Sequence, residues 1–138
     1  MKILVIDAQG GGLGRMLVEN IKKGIPDAYV YAVGTNSVAT SAMLKAGADE
    51  AATGENSVLA ALRKAEVVVG PVGIVIADSM LGEITPRIAL AISRAEVRRV
   101  LIPFNHCDSY IVGTDKKGMS AVVQEAVELI RTFCEKDS

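Results

Sequence analysis

The sequence predicts a three-layer α/β fold: a Rossmann-like, doubly wound, mostly parallel sheet of order 3-2-1-4-5. Three observations predict it. Runs of Ile, Leu and Val lack polar alternation, as strands buried on both faces do; amphipathic segments separate them; and a glycine cluster follows the first run. A flavodoxin-like order, 2-1-3-4-5, is the alternative.

Lys2 to Ile6 reads as the central first strand, and Leu13, Met16, Leu17 and Ile21 recur at helical spacing over a helix from about Gly12 to Lys23, stopped by Gly24 and Pro26. Residues 28–33 form the second strand. Asn36 or Ser37 then caps a helix carrying Val38, Ala42, Met43 and Ala46 that ends at Gly47. Ala48 to Thr53 is a short third strand, and Val58, Leu59, Leu62 and Ala65 mark the third helix. Val67 to Val69 begins the fourth strand, and Ile74 to Ile76 is either a short strand or a helical turn. Thr85-Pro86 starts a helix reaching about Ala95, because the Thr hydroxyl caps free N–H groups and Pro at the first position loses no bond. Val100 to Ile102 is the fifth strand and Tyr110 to Val112 a short sixth, antiparallel at the edge. The stripe Met119, Val122, Val123, Ala126, Val127, Ile130 and Phe133 is the closing helix. With no repeat or linker, residues 1–138 read as one domain.

Composition narrows the function classes. Fifteen Lys and Arg against sixteen Asp and Glu leave a net charge of -1 without like-charge blocks, which argues against nucleic-acid binding and a polybasic membrane anchor. At 50% hydrophobic residues the chain has apolar area for a partner subunit, so a homodimer or higher homo-oligomer is expected. No apolar run approaches the ~18 residues of a spanning helix, and the start lacks a signal-peptide pattern. Cys107 and Cys134 suggest no disulfide framework, so both are expected as thiols in the cytoplasm.

The informative segment is IDAQGGGLGRML, at the first strand-to-helix turn. Glycines there let backbone approach a phosphate, and the helix N-terminus supplies N–H donors and a favourable dipole. The match to G-x-G-x-x-G is partial: one register gives Gln9, Gly11 and Gly14, and the other starts at Gly10 and Gly12 but fails at Arg15. The acid that usually binds ribose at the end of strand two is replaced by Gly34-Thr35-Asn36-Ser37, which leaves NADP open although its usual Arg is missing too. Asp7 would repel a diphosphate unless a cation such as Mg²⁺ or a water intervened. The other reading of Gly10 to Gly14 is a tight, closely packed turn.

The candidate binding set is therefore Asp7, Gln9, Gly10, Gly11, Gly12, Leu13, Gly14, Thr35, Asn36 and Ser37. Gly70, Pro71 and Gly73 join it from the end of strand four, with Asn105 and His106 from the end of strand five. Asp78, Ser79 and His106 are candidate catalytic groups. Asp78 and Glu83 are candidate acids or metal ligands, although Glu83 also suits a helix start. His106 and Cys107 point to opposite sides of an extended segment and make no ready dyad, and one His with two separated Cys shows no zinc spacing. Arg87, Arg94, Arg98 and Arg99 read as a solvated helix face and turn.

The stretches MKILVIDAQGGGLG, VGTNSVATSAMLKAGADEAATGEN and GPVGIVIADSMLGEITP resemble a family of short bacterial proteins, domain of unknown function thirty-eight forty-two. The resemblance implies a stand-alone protein with a nucleotide-binding-like fold, and it supplies no activity. Members tend to carry Gly where this chain has Ala8. A lesser likeness, confined to QGGGLGRML, is to the nucleotide-binding half of prephenate-dehydrogenase-type enzymes.

Three functions fit the sequence. The first is a protein that binds a nucleotide or phosphorylated small molecule at the Gly10–Gly14 loop. The second is a small NAD(P)-dependent oxidoreductase-like enzyme whose site a second copy closes. The third is a non-catalytic interaction subunit.

Overall fold

In the computed structural model, which describes residues 1–103, 109–114 and 117–137, the apolar runs pair as one five-stranded parallel sheet of order β3-β2-β1-β4-β5. The strands are β1 (Lys2–Asp7), β2 (Tyr29–Gly34), β3 (Glu50–Thr53), β4 (Val67–Pro71) and β5 (Arg98–Ile102). The α-helices are α1 (Gly12–Gly24), α2 (Ser37–Lys45), α3 (Glu55–Leu62), α4 (Pro86–Arg94) and α5 (Met119–Asp137). This is the Rossmann-like order, and it excludes the flavodoxin-like alternative.

Because neighbouring strand residues point to opposite faces, β1 serves two cores. Ile3 and Val5 pack with Leu17, Val18 and Ile21 of α1, Met43 of α2 and Val123, Val127 and Ile130 of α5. Leu4 and Ile6 pack on the other face with Val58 and Leu62 of α3 and Ile88 and Ile92 of α4. Right-handed crossovers account for this division: the chain steps outward from β1 to β3 with its helices on one face, so the return to β4 and β5 puts α3 and α4 on the other. The reversal falls between β1 and β4.

Polar contacts pin the ends of these elements. Asp49, just before β3, accepts hydrogen bonds from the Val30 amide at 2.8 Å and Lys22 Nζ at 2.9 Å, tying α1 to the start of β2. Arg131 of α5 donates through Nη2 to the Gly24 carbonyl at 2.9 Å, satisfying the end of α1. Thr85 Oγ1 accepts from the Ile88 amide, so the expected Thr cap with Pro86 behind it forms as read. Asn36 caps α2 by accepting from the Ala39 amide.

Several expectations are corrected. Tyr110 to Val112 is not a strand; it is irregular backbone leading into a turn, with both Tyr110 and Val112 exposed, because no β5 partner register is offered to it. Arg98 and Arg99 begin β5 rather than a turn. The edge position lets Arg98 stack over Phe133, 4.5 Å from its ring centre, and Arg99 donate to the Ala95 and Ile92 carbonyls. Val72–Val75 is a short 3₁₀ helix, which settles the choice at Ile74 in favour of a helical turn. Val38 faces solvent, and Met43 carries the apolar contact of α2. Cys134 packs against the α5-side core, its sulfur 3.4 Å from that of Met1.

Ile130 is fully buried on the stripe that holds α5 to the sheet. Truncating it to Ala removes core contacts and leaves a cavity, so we expect Ile130→Ala to lower unfolding free energy by about 2–5 kcal/mol in urea titration.

Candidate functional site

The glycine turn is built around Asp7, the last residue of β1. Its carboxylate is 5% exposed and accepts hydrogen bonds from its own turn: the Ala8 amide reaches Oδ1 at 2.8 Å and the Gly14 amide reaches Oδ2 at 2.6 Å. The negative charge expected to repel a diphosphate is thus turned into the first turn of α1, where it stands in for the missing side-chain cap at Gly11.

The four glycines of this turn divide by cause. Gly11 has φ of 74°, and a Cβ there would lie 2.7 Å from the Ala39 Cα, so the backbone demands glycine. A Cβ on Gly14 would lie 2.6 Å from the Met43 sulfur and 2.8 Å from Asp7 Cβ, so close packing demands it. Gly10 and Gly12 differ: a Cβ at either would meet nothing within 4 Å, and neither needs a left-handed backbone. Among the described residues their amides, and that of Leu13, have no hydrogen-bond partner. Packing explains two of the four glycines and leaves two facing open space.

Glu83 reaches this turn from the connection after β4. Its Oε1 accepts three hydrogen bonds: from the Gln9 amide at 2.9 Å, Thr35 Oγ1 at 2.7 Å and Asn36 Nδ2 at 2.8 Å. Asn36 Nδ2 also donates to the Gln9 carbonyl at 2.9 Å. Gln9, in the left-handed region at φ 52°, therefore has both peptide groups held, which offsets the strain of that conformation. Partial burial alone would raise the Glu83 carboxyl's pKa, but the bonds from Thr35, Gln9 and Asn36 together hold it below the ordinary value.

The segment delivering Glu83 is itself strained. Asp78, Met80 and Leu81 are non-glycine residues at φ 64°, 56° and 56°, followed by Gly82 at 84°. Buried Met80 and Ile84 anchor it, and Ser79 Oγ donates to the Gly73 carbonyl at 2.5 Å. Leu81 stands 96% exposed at its tip.

Of the candidate residues, the fold brings Asp7, Gln9, Gly10, Gly11, Gly12, Leu13, Gly14, Thr35 and Asn36 together at the carboxyl ends of β1 and β2. Ser37 is exposed at the start of α2. Gly70 backs onto the Ile6 carbonyl, and buried Pro71 and Gly73 support the 3₁₀ turn. Asp78 is exposed and Ser79 is buried on Gly73, so these two do not converge on the glycine turn. Asn105, His106 and Cys107 lie outside the described residues. Among the described residues no three His, Cys, Asp or Glu side chains group as metal ligands, and no helix is long and apolar enough to cross a membrane.

With the geometry in place, comparison places the chain. A family model described as "Domain of unknown function (DUF3842)" matches residues 2–135. The chain belongs to this family. No curated protein matches this DUF3842 chain. Among solved structures it is similar to a dodecameric FMN-dependent UbiX-like decarboxylase from Escherichia coli O157:H7. The two share 15% identity over 95% of this chain and 76% of that one, with TM-score 0.47. It is also similar to AibC, at 21% identity over 96% of this chain and 39% of that one, with TM-score 0.47. The strand order of the DUF3842 chain, and not these likenesses, fixes its fold class.

Two outcomes follow for the variants. In Asp7→Asn one side-chain oxygen becomes an NH₂ group facing a backbone N–H, so we expect a loss of about 2 kcal/mol in chemical denaturation. Because the Glu83 pKa is depressed in the folded state, its contribution is present above the ordinary value of 4.5 and is lost as pH falls through the folded value. The stability gap between wild type and Glu83→Ala should therefore be widest near neutrality and narrow below about pH 4.5 in urea titrations across pH.

Proposed function

We propose that this chain, as a single Rossmann-like domain, binds a nucleotide or another phosphorylated small molecule over Gly10–Gly12, at the amino end of α1. The observation that carries the reading is the pair of glycines for which the fold has no use. Gly10 and Gly12 face open space, and amides at 10, 12 and 13 have no partner among the described residues. Open backbone N–H groups at the start of a 13-residue helix form a favourable place for an anion. The site lies at the carboxyl edge of the sheet beside the β1–β4 reversal, where open α/β sheets bind ligands.

The same geometry limits the ligand's charge. The Ala8 and Gly14 amides are already bonded to Asp7 and the Gln9 amide to Glu83. Two carboxylates border the remaining donors, so esters carrying one charge per phosphorus are favoured over a terminal phosphate dianion unless Mg²⁺ accompanies it.

The test is a thermal-shift screen of metal-stripped protein against NAD, NADP, adenine and guanine nucleotides, flavins and simple phosphates, with and without Mg²⁺. A ligand at 100 times its dissociation constant adds about 2.7 kcal/mol, which gives a visible shift in Tm. We expect Gly12→Asp to abolish that shift while retaining the wild-type Tm without ligand, since a Cβ at residue 12 meets nothing within 4 Å and the new negative charge repels an anion there. Unchanged ligand binding in a folded Gly12→Asp protein removes the loop from the reading.

A further inference from the structure

Resting on that reading, we infer that Glu83 is the group that recognises the sugar. Its second carboxylate oxygen is the acceptor for the vicinal hydroxyls of a ribose 5′-phosphoester, and it selects a free diol over a 2′-deoxy or 2′-phosphorylated ribose.

The inference starts from how the carboxylate is divided. All three protein donors converge on Oε1. Among the described residues Oε2 has no hydrogen-bond partner, on a side chain that is only partly buried. One oxygen fixes the orientation and the other is left as an acceptor at the edge of the site. The position matches a need that the β2 sequence does not meet. Where an acid at the end of β2 would take a ribose diol, this chain has Gly34-Thr35-Asn36-Ser37. Thr35 and Asn36 instead donate to Glu83, so a carboxylate from a different connection stands over the end of β2.

The surroundings decide what Oε2 receives. The donors beside it are already taken by Oε1: the Gln9 N–H, the Thr35 hydroxyl and the Asn36 amide NH₂. A charged acceptor of this kind suits neutral hydroxyl donors. A 2′-phosphate would bring a second anion against the carboxylate. Gly10, the first of the open amides, directly follows Gln9, whose N–H Glu83 holds. Hydroxyl acceptor and phosphate donors are thus linked through a single hydrogen bond to Gln9, and a ribose 5′-phosphate carries diol and phosphate on one sugar.

Glu83→Gln gives a directional test. The three donors require an oxygen facing them, so the glutamine NH₂ must face the ligand, turning a charged acceptor into a neutral donor with the loop contacts kept. The probes are NAD, its 2′-deoxyadenosine analogue and NADP, titrated by calorimetry into wild type, Glu83→Gln and Gly12→Asp. We expect wild type to bind NAD about tenfold or more tighter than either other probe. In Glu83→Gln, with Tm within a few degrees of wild type, the preference over the deoxy form should fall to about threefold or less, and NADP should gain on NAD. Gly12→Asp should lose all three probes. Equal wild-type affinity for NAD and its deoxy analogue, or discrimination that survives in Glu83→Gln, overturns the role of Glu83 and leaves the glycine-loop reading standing. Failure of wild type to bind any probe overturns the role of Glu83, and silence across the thermal-shift panel as well overturns the glycine-loop reading.

Discussion

The contact on which the upper edge of this molecule depends is a carboxylate folded back on its own turn. Asp7 ends the central strand, where both faces and both flanking strands are already occupied by packing. A charge there is tolerable only with donors directed at it, and the Ala8 and Gly14 amides supply them. Accepting from Gly14 brings the first turn of α1 down onto the end of β1, and that approach is why residue 14 has no room for a side chain. The strand end, helix start and packing of α1 against α2 through Met43 are thus one constraint seen from three sides.

Above that constraint lies a second carboxylate with the opposite design. Asp7 has both oxygens engaged by backbone within its own turn, whereas Glu83 bonds through one oxygen to three donors from two other loops. It joins the β1–α1 turn to the β2–α2 turn without any covalent connection. The cost is local: a run of left-handed residues is needed to turn the chain back over β1, and buried Met80 and Ile84 hold that run in place.

Most of the architecture was legible in the sequence because the central strands β1 and β4 are buried on both faces, so their continuous Ile, Leu and Val runs separate cleanly from helices with one apolar stripe. The caps at Asn36 and Thr85 were legible for the same reason: their chemistry is local. What escaped was non-local or positional. Arg98 and Arg99 look like a turn until the sheet order makes β5 an edge strand, where long cationic side chains run out over Phe133 and the end of α4. Tyr110 to Val112 has strand-like residues, and a strand needs a neighbour in register. Glu83 could be seen as an acid near a helix start; its bond to Gln9 spans 74 positions and carries no sequence pattern. The glycine cluster was visible as a whole, but only neighbouring atoms separate the two glycines that packing requires from the two it does not.

The span of the Glu83 bonds has a consequence for how this molecule comes into being. Its three donors come from the first two β-α units, and Glu83 comes from the connection after the fourth strand. Closing so long a loop is entropically expensive until β4 has zipped beside β1, so these bonds form after the two halves of the sheet have met. During synthesis the glycine turn emerges early with its neighbouring carboxylate absent and Gln9 unrestrained. The edge of the sheet acquires this shape only when β4 has crossed back to lie beside β1, so the rim records the reversal of the sheet.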